Sequence, residues 1–396
     1  MPHSPTRIVA CVDTGVDDAM ALAYLLASPH DCELLGVLAG YGNVDAPTAE
    51  RNTRLVLDLF GRSDIPVFRS STHPSWADTF IPDAGCAQFH GPDGLGGAVA
   101  DGLIANAGTV DGIAADGGDA SAGIAGTPIG DDAGVVSVGG YPLGDRHANP
   151  AYGYGRIRAY GAAQSEHDAS AGTSSPPDAG VDFLIDAVRE YGRDVTVLAT
   201  GPLTDVDAAI SHAPGIASML HVVMMGGALT QPGNCWDAVT ETNVIQDPEA
   251  ADRVFRSGAD VTMVGLDVTH QCLLPRAAAG RWRAAGTDRG RFLARLADFS
   301  ITANLEADPV IFAGGMPLHD PLAAAVALDP SLVSCFDVAL RAETATGDFT
   351  GVRGRTTGDP AGLVTPSSPR VHVALGVDAA RFVGGFTDRL AALCAA

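Results

Sequence analysis

Short apolar runs alternate with amphipathic segments along most of this chain, and that order limits the possible fold more than any other feature. RIVACV at residues 7–12 reads as a buried strand, and DDAMALAYLLAS at residues 17–28 reads as a helix. The same alternation resumes after residue 178. Strands separated by helices build a parallel sheet that is covered on both faces. We therefore predict an α/β fold in which a mostly parallel central sheet is flanked by helices, with a Rossmann-like core.

The predicted strands are short and the predicted helices are longer, as is usual in such folds. The strands are expected at residues 7–12, 34–39, 66–69, 195–199, 221–225, 261–264, 334–340 and 370–374. The helices are expected at residues 17–28, 46–60, 180–191, 204–212, 248–256, within 276–305, and at 321–327 and 378–395.

Residues 98–178 differ from the rest of the chain. Gly, Ala, Asp and Ser dominate this stretch, as in GGDASAGIAGTPIGDDAG and ASAGTSSPPDAG. Such a composition buries too little apolar surface to offset the entropy lost on ordering the chain. We predict one domain over residues 1–396 that carries a partly disordered or loosely packed insertion at about 98–178. A mobile lid over the active site is the alternative interpretation of this insertion.

The charge balance excludes several classes of function. The chain has 47 acidic residues against 24 basic ones and a net charge of -23, which repels nucleic acids and anionic membranes. All of the basic residues are Arg, because the sequence contains no Lys. A P-loop lysine and a Schiff-base lysine are therefore excluded. We expect neither nucleic acid nor a membrane among the partners.

The cysteines and the first residues indicate a cellular compartment. Seven cysteines are scattered without CxxC spacing, which favours neither a disulfide framework nor a zinc site. The chain starts without the apolar run of a signal peptide, and no apolar run reaches the length of a membrane span. We expect a soluble protein in the reducing cytoplasm.

Three aspartates lie where the first strand ends and the first helix begins. In a parallel α/β sheet, ligands bind beyond the carboxyl ends of the strands, which is where Asp13, Asp17 and Asp18 fall. Helix capping and first-turn acids account for one or two of them, but they do not require Asp13. Carboxylates this close repel one another unless a cation or hydrogen-bond donors compensate. The cluster thus indicates a cation site.

Other oxygen-bearing groups lie at similar positions along the chain. Asp320 begins an apolar helix in PLHDP, Glu241 and Asn243 lie in TETNVIQDPEAA, and ATGPLTD ends a strand with carbonyl groups that can point into a cleft. Carboxylates with backbone carbonyls suit a hard cation such as Ca²⁺. Zinc fits this set of ligands less well than calcium, because no thiolate or imidazole cluster accompanies these carboxylates.

The sequence resembles the inosine-uridine type nucleoside hydrolases. VDTGVDDAMAL is similar to their N-terminal signature DxDPGxDDAxA. The likeness spans nearly the whole chain except residues 98–178, and further motifs follow in the order of that family: GYGNV, FHGPDGLGG, ATGPLTD, MMGGAL, GN, ETNVIQDPEAA, LDVTHQ and LHDPLAAA. A nucleoside-hydrolase-like fold is therefore expected.

The resemblance implies a calcium-dependent ribonucleoside hydrolase of purine or pyrimidine salvage. Such enzymes hydrolyse the N-glycosidic bond to ribose and free base through a metal-activated water and an oxocarbenium-like transition state. A homo-dimer or homo-tetramer is also implied. The groups implied to hold the ion are Asp13, Asp18, the backbone carbonyl of Thr200 and Asp320.

The resemblance also implies the remaining site residues. Asp13 would act as general base as well as metal ligand, and His319 would protonate the leaving base, as a histidine of ordinary pKa can at neutral pH. His90 faces the base or is a hydrogen-bonded loop residue. The substrate-binding residues are Asp17, Asn43, His90, Met225, Asn234, Glu241 and Asn243.

Three positions depart from the family pattern. Cys11 replaces an aspartate, Thr14 replaces a proline, and Thr242 replaces an aromatic residue. Loss of a supporting carboxylate weakens metal sites in general. The alternative function is therefore a catalytically impaired homologue that binds a nucleoside or another riboside without turning it over.

Overall fold

The computed structural model describes residues 4–82, 84–104, 179–235, 237–346 and 352–395. Of the insertion predicted at 98–178, only the start is described. Residues 98–104 form turns, and Ala98 and Ile104 are buried against the core. Residues 105–178, and with them the expectation of disorder or of a lid, lie outside the described residues.

The strands of the described chain are numbered in order, and each is short. They are β1 (Thr6–Val12), β2 (Cys32–Ala39), β3 (Val67–Arg69), β4 (Val195–Ala199), β5 (His221–Met225), β6 (Asp260–Val264), β7 (Leu273–Leu274), β8 (Met316–Pro317), β9 (Val333–Val338), β10 (Leu340–Ala342), β11 (Thr356–Gly358) and β12 (Val371–Val377).

The helices are numbered in the same way. They are α1 (Val16–Leu26), α2 (Ala46–Leu59), α3 (Ala84–His90), α4 (Ala179–Tyr191), α5 (Thr204–His212), α6 (Thr242–Gln246), α7 (Pro248–Arg256), α8 (Leu266–Thr269), α9 (Arg276–Ala284), α10 (Asp288–Ala307), α11 (His319–Leu328), α12 (Pro360–Leu363) and α13 (Ala379–Ala395).

Eight of the described strands form the central sheet, in the order β3-β2-β1-β4-β5-β6-β12-β9. All neighbouring pairs are parallel except β12 with β9, which is antiparallel. The strands β10 with β11 and β7 with β8 form two small antiparallel ribbons. The prediction of an α/β fold with a mostly parallel, helix-flanked sheet is confirmed.

The core lies on both faces of this sheet, because side chains along a strand alternate in direction. On β1, Ile8, Ala10 and Val12 pack on the face that α1, α2, α10, α11 and α13 cover, whereas Val9 and Cys11 pack on the face that α4, α5 and α7 cover. Both faces are therefore apolar, and the polar residues at the carboxyl ends of the strands are available for a site.

The predicted elements differ from the structure mainly at the sheet edge and in the short segments. Observed and predicted bounds agree within three residues for most elements. The strand predicted at residues 334–340 is instead two strands, β9 and β10, which belong to different sheets. The short elements α3, α6, α8, α12, β7, β8 and β11 were not predicted, since segments this short have little periodicity. None of the described helices combines the length and apolar character needed to span a bilayer.

Candidate active site

The site lies at the carboxyl edge of the sheet, where loops from distant parts of the chain meet. Asp13 follows β1, Thr200 follows β4, and Asp320 is the second residue of α11. Asp17 and Asp18 lie in the first turn of α1. The order of parallel strands thus gathers groups that are about 300 residues apart in sequence, as α/β sheets do at their ligand sites.

Three carboxylates form a tight cluster. Asp17, Asp18 and Asp320 each offer an oxygen within 4.8 Å of the others, and all three side chains are buried. The Oδ1 atom of Asp17 is buried without a hydrogen-bond partner in the described part of the chain. Buried oxygens that lack donors require a counter-charge, so this cluster suits a cation.

Asp13 lies beside this cluster and is held by one residue. Its Oδ2 atom accepts a hydrogen bond from the backbone N–H of Asn43 at 2.6 Å, and its Oδ1 atom accepts one from the Asn43 side chain at 3.2 Å. The Asn43 amide also donates to Oδ2 of Asp18 at 3.2 Å. Gly42 has a positive φ, and a Cβ there would overlap Oδ2 of Asp13. The loop therefore needs a glycine at 42 and fixes the Asp13 carboxylate.

Asp18 links the first helix to the loop after β4. Its Oδ1 atom accepts a hydrogen bond from the Thr200 hydroxyl at 2.7 Å, and its Oδ2 atom accepts one from the Gly15 N–H at 2.9 Å. The carbonyl of Thr200 accepts the Asn243 amide at 2.7 Å. A carbonyl oxygen has a second lone pair, so this contact leaves Thr200 able to bind a cation.

Burial raises the pKa of every carboxylate in this group. It raises the pKa of Asp17 to about 6, and it raises the pKa of Asp18 with a contribution from the negative charge of Asp17. The pKa values of Asp13 and Asp320 lie well above the ordinary range, first because of burial and then because of the neighbouring carboxylates. The site without a cation therefore favours protonated, neutral carboxyl groups.

This shift predicts a pH effect on stability for Asp17→Asn in protein freed of divalent cations. A carboxyl whose pKa is raised on folding stabilises the folded state fully below its unfolded pKa near 4, and this stabilisation is lost as pH rises through about 6. Relative to wild type, Asp17→Asn should gain about 2 kcal/mol of stability between pH 4.5 and 7.5.

Denaturant unfolding at the two pH values measures this difference. Asp17→Asn also removes a charge that raises the pKa values of Asp13, Asp18 and Asp320, and this change adds to the gain in the same direction. Wild-type and variant stability curves that stay parallel from pH 4.5 to 7.5 would contradict the raised pKa of Asp17.

Met225 ends β5, and Glu241 and Asn243 lie at the start of α6. Glu241 caps α6 and accepts the N–H groups of Gly227, Asn243 and Val244. The Asn243 amide donates to the carbonyls of Thr200 and Met225. All three predicted residues are buried beside the cluster, and the negative charge of Asp17 contributes to a raised pKa of Glu241, after burial.

Asn234 differs from the other predicted substrate-binding residues because it is exposed. Its Oδ1 atom accepts hydrogen bonds from the backbone N–H of Thr242 at 3.0 Å and from the Thr242 hydroxyl at 3.1 Å. Thr242, which stands where the family has an aromatic residue, thus anchors the loop of Asn234. In this structure Asn234 lies on the rim of the site.

Three histidines line the other side. His90 accepts the Val16 N–H through Nδ1 at 3.1 Å, and the same atom lies 3.6 Å from Asp17 Oδ1. His319 is bonded through Nδ1 to the Thr269 hydroxyl at 2.8 Å, and its ring centre lies 5.6 Å from that of His270. Burial lowers the pKa of His90 to about 4, and it lowers the pKa of His319 well below 6.5, with His270 and His90 adding to the shift.

The structure therefore places most of the predicted residues together. The lowered pKa of His319 differs from the ordinary value expected, because the ring is enclosed and faces other histidines. Asp17, predicted as a sugar ligand, also shares the tight carboxylate cluster. Thr269 was not predicted, because it lies 50 residues from its partner His319 and no local pattern connects the two.

Two of the residues that depart from the family pattern contact identifiable neighbours. Cys11 packs in the core face below α4 and α5, and burial followed by the charge of Asp205 raises the pKa of its thiol. Cys11 and Asp205 line one cavity of about 10 Å³. Thr14 shares a hydrogen bond of 2.7 Å with the Thr53 hydroxyl. Cys11 is thus packed in the core and Thr14 is hydrogen-bonded, although neither is the residue that the family pattern has at its position.

Comparisons with known proteins identify the family of this chain. The family model described as inosine-uridine preferring nucleoside hydrolase matches residues 8–384. The pyrimidine-specific ribonucleoside hydrolase RihA of Shewanella sp. (strain ANA-3) is 30% identical over 391 residues, which cover 97% of this chain and 96% of that protein.

Two solved structures are similar over nearly their whole length. The purine-preferring ribonucleoside hydrolase from Gardnerella vaginalis has a TM-score of 0.73 and 35% identity, covering 98% of this chain and 99% of that one. The plant nucleoside hydrolase PpNRh1 has a TM-score of 0.72 and 26% identity, with the same coverage of each chain.

Proposed function

Since this chain belongs to the inosine-uridine preferring nucleoside hydrolase family and is a ribonucleoside hydrolase, we propose that it uses a calcium ion to split ribonucleosides into ribose and free base. The observation that carries the proposal is the buried cluster of Asp17, Asp18 and Asp320, with Asp13 beside it. No Arg of the described residues forms an ion pair with any of these four buried carboxylates, and the pKa of His90, which lies 3.6 Å from Asp17, is lowered to about 4, so that ring is neutral at pH 7. Buried carboxylates without a cationic partner favour a hard divalent cation.

The donor set fits calcium. Every ligand available in the cluster is oxygen, and the unpartnered Oδ1 of Asp17 shows that hydrogen bonds within the described chain do not satisfy it. We assign the ion to Asp13, Asp18, Asp320 and the Thr200 carbonyl. Asp17 is the most exposed of the four carboxylates, at 8%, which favours it as the one that faces the sugar.

The bound ion would supply positive charge that orients the sugar hydroxyls and lowers the pKa of a coordinated water. Asp13 accepts the proton of the attacking water, and Asn43 keeps both oxygens of that carboxylate in place. Carboxylates around the sugar stabilise the positive charge that develops as the base leaves. His319, whose lowered pKa keeps the ring neutral, can donate a hydrogen bond to the negative charge that develops on the departing base.

A panel of ribonucleosides tests this function. Inosine, adenosine, uridine and cytidine are incubated with the protein, and reducing sugar is measured with and without a chelator. Release of ribose that requires the metal supports the proposal. Nucleoside binding without any release of sugar would instead support the alternative of an impaired, riboside-binding homologue.

We expect 2′-deoxyribonucleosides to be poor substrates. A missing hydroxyl leaves buried charged groups of the site unpaired, and sites built around a hydroxyl discriminate strongly against its loss. The value of kcat/KM for the 2′-deoxy analogue of the best substrate should fall at least about 100-fold. Equal kcat/KM for the two sugars would contradict the assignment of Asp17 and the cation to the ribose hydroxyls.

A further inference from the structure

The ring of His319 is held by a residue from another part of the chain. Its Nδ1 atom lies 2.8 Å from the hydroxyl of Thr269, the last residue of α8. The backbone restrains this pair. The N–H of Leu318 donates to the carbonyl of Cys272, and the ribbon of β7 with β8 lies next to this hydrogen bond. Thr269 and His319 are thus joined through rigid, neighbouring segments.

The hydroxyl of Thr269 makes one hydrogen bond in the described chain. Thr269 is completely buried, and its hydroxyl makes no other hydrogen bond among the described residues. Burying a hydroxyl costs free energy unless it is bonded, and valine would fill the same space without that cost. The contact with His319 therefore accounts for a threonine at this position.

A hydroxyl next to Nδ1 influences which nitrogen of the ring carries the proton. If the hydroxyl donates to Nδ1, the proton of neutral His319 lies on Nε2. The neighbouring His90 shows the same arrangement, because its Nδ1 accepts the N–H of Val16 and its proton must then lie on Nε2. The ring of His270 lies beside His319 and contacts Phe312 edge to face, which restrains the ring by packing but selects no tautomer.

We propose that Thr269 is a positioning residue, which donates its hydroxyl to Nδ1 of neutral His319 and so presents the N–H of Nε2 as a hydrogen-bond donor to the negative charge that develops on the departing base. The ring keeps its proton, and the released base takes its proton from water. This inference rests on the proposed function, because it assigns to His319 the donation to the leaving group. Thr269 itself touches neither the substrate nor the cation. The effect of the Thr269 hydroxyl on the rate should therefore depend on how strongly the leaving group needs stabilisation by His319.

Two substrates separate this role from a structural one. The first is inosine or uridine, whichever the wild-type protein cleaves faster, whose base develops negative charge that a hydrogen bond from His319 would stabilise. The second is p-nitrophenyl β-D-ribofuranoside, whose phenolate is stable without such a bond. Thr269→Val replaces the hydroxyl with a methyl group of similar size, and Thr269→Ser retains the hydroxyl. Thr356→Val is the matched control, because the Thr356 hydroxyl is also buried but is bonded to Ala228.

Thr269→Val should lower kcat on the nucleoside by about 10- to 100-fold while KM changes less than about twofold. Its kcat/KM on the p-nitrophenyl riboside should stay within about threefold of wild type, and Thr269→Ser should recover the nucleoside activity to within about threefold. Thr356→Val should affect both substrates equally.

Unchanged nucleoside activity in Thr269→Val would overturn the inference, and so would an equal loss on both substrates or a lack of recovery in Thr269→Ser. Each of these results leaves the proposed function intact. A wild-type protein that cleaves neither substrate would contradict the proposed function itself.

Discussion

Asp13→Asn is expected to lower kcat on the best ribonucleoside by about 10³-fold, because one change removes both a cation ligand and the base that deprotonates water. The amide matches the carboxylate in size. It cannot accept the proton, and it would place an N–H₂ group against the Asn43 donors that Asp13 now accepts. Ribose release under saturating nucleoside measures the effect.

Asp205→Asn is the matched control for Asp13→Asn. Asp205 is also a buried aspartate just beyond a central strand, but its carboxylate accepts the N–H and hydroxyl of Ser71 rather than facing the cluster. Its kcat should stay within about fivefold of wild type. If the Asp13 variant kept its activity, or if both variants lost activity alike, the role of Asp13 as base would be untenable.

Removal of divalent cations should abolish ribonucleoside hydrolysis, and calcium should restore it. Without the ion, the four buried carboxylates are driven towards protonation, since burial and mutual repulsion raise their pKa values. Calcium at 100 times its Kd should stabilise the folded state by about 2.7 kcal/mol and raise Tm by several degrees.

The chelated protein is assayed for ribose release and for Tm, before and after calcium, magnesium or zinc is added. Calcium should be the most effective, since magnesium demands a stricter octahedral geometry and zinc prefers nitrogen and sulfur ligands. Full activity after exhaustive chelation, with an unchanged Tm, would refute a cation-dependent mechanism.

The central strands and their helices could be predicted because their signal is local. Buried parallel strands are continuous apolar runs, and the helices that cover them carry a regular apolar face, as at β1 and α1. A strand was also predicted at residues 334–340, but its antiparallel pairing with β12 and the separation of β9 from β10 were not, because the mostly exposed residues of β9 carry no pattern that identifies a partner. Pairing between distant segments leaves little trace in either segment alone.

The carboxylate cluster could be predicted because topology determines where strand ends meet. The rule that ligands bind beyond the carboxyl ends of parallel strands selected Asp13, Asp17 and Asp18. Asp320 was selected from its place at the start of a later apolar helix, and the resemblance also implied it as a ligand. The exposure of Asn234 and the depressed pKa of His319 depend on loop packing, which no motif encodes. The partner of His319 likewise emerged only from the fold.

Cys11 is another residue whose surroundings could not be predicted from the sequence. The sequence shows a thiol where the family has a carboxylate, which suggested a weaker site. In the structure this side chain packs on the sheet face away from α1, next to Asp205 and a small cavity. A negative charge from α5 is therefore already present beside the substituted residue, although the two positions are 194 residues apart.

Calcium titration of the metal-free protein by isothermal calorimetry tests the central claim most directly. The wild-type chain should bind one calcium ion, and Asp18→Asn and Asp320→Asn should each weaken this binding at least about tenfold, because each removes a charged ligand from a buried site. Absence of calcium binding by the wild type, or equal affinity in all three proteins, would show that these carboxylates do not share an ion.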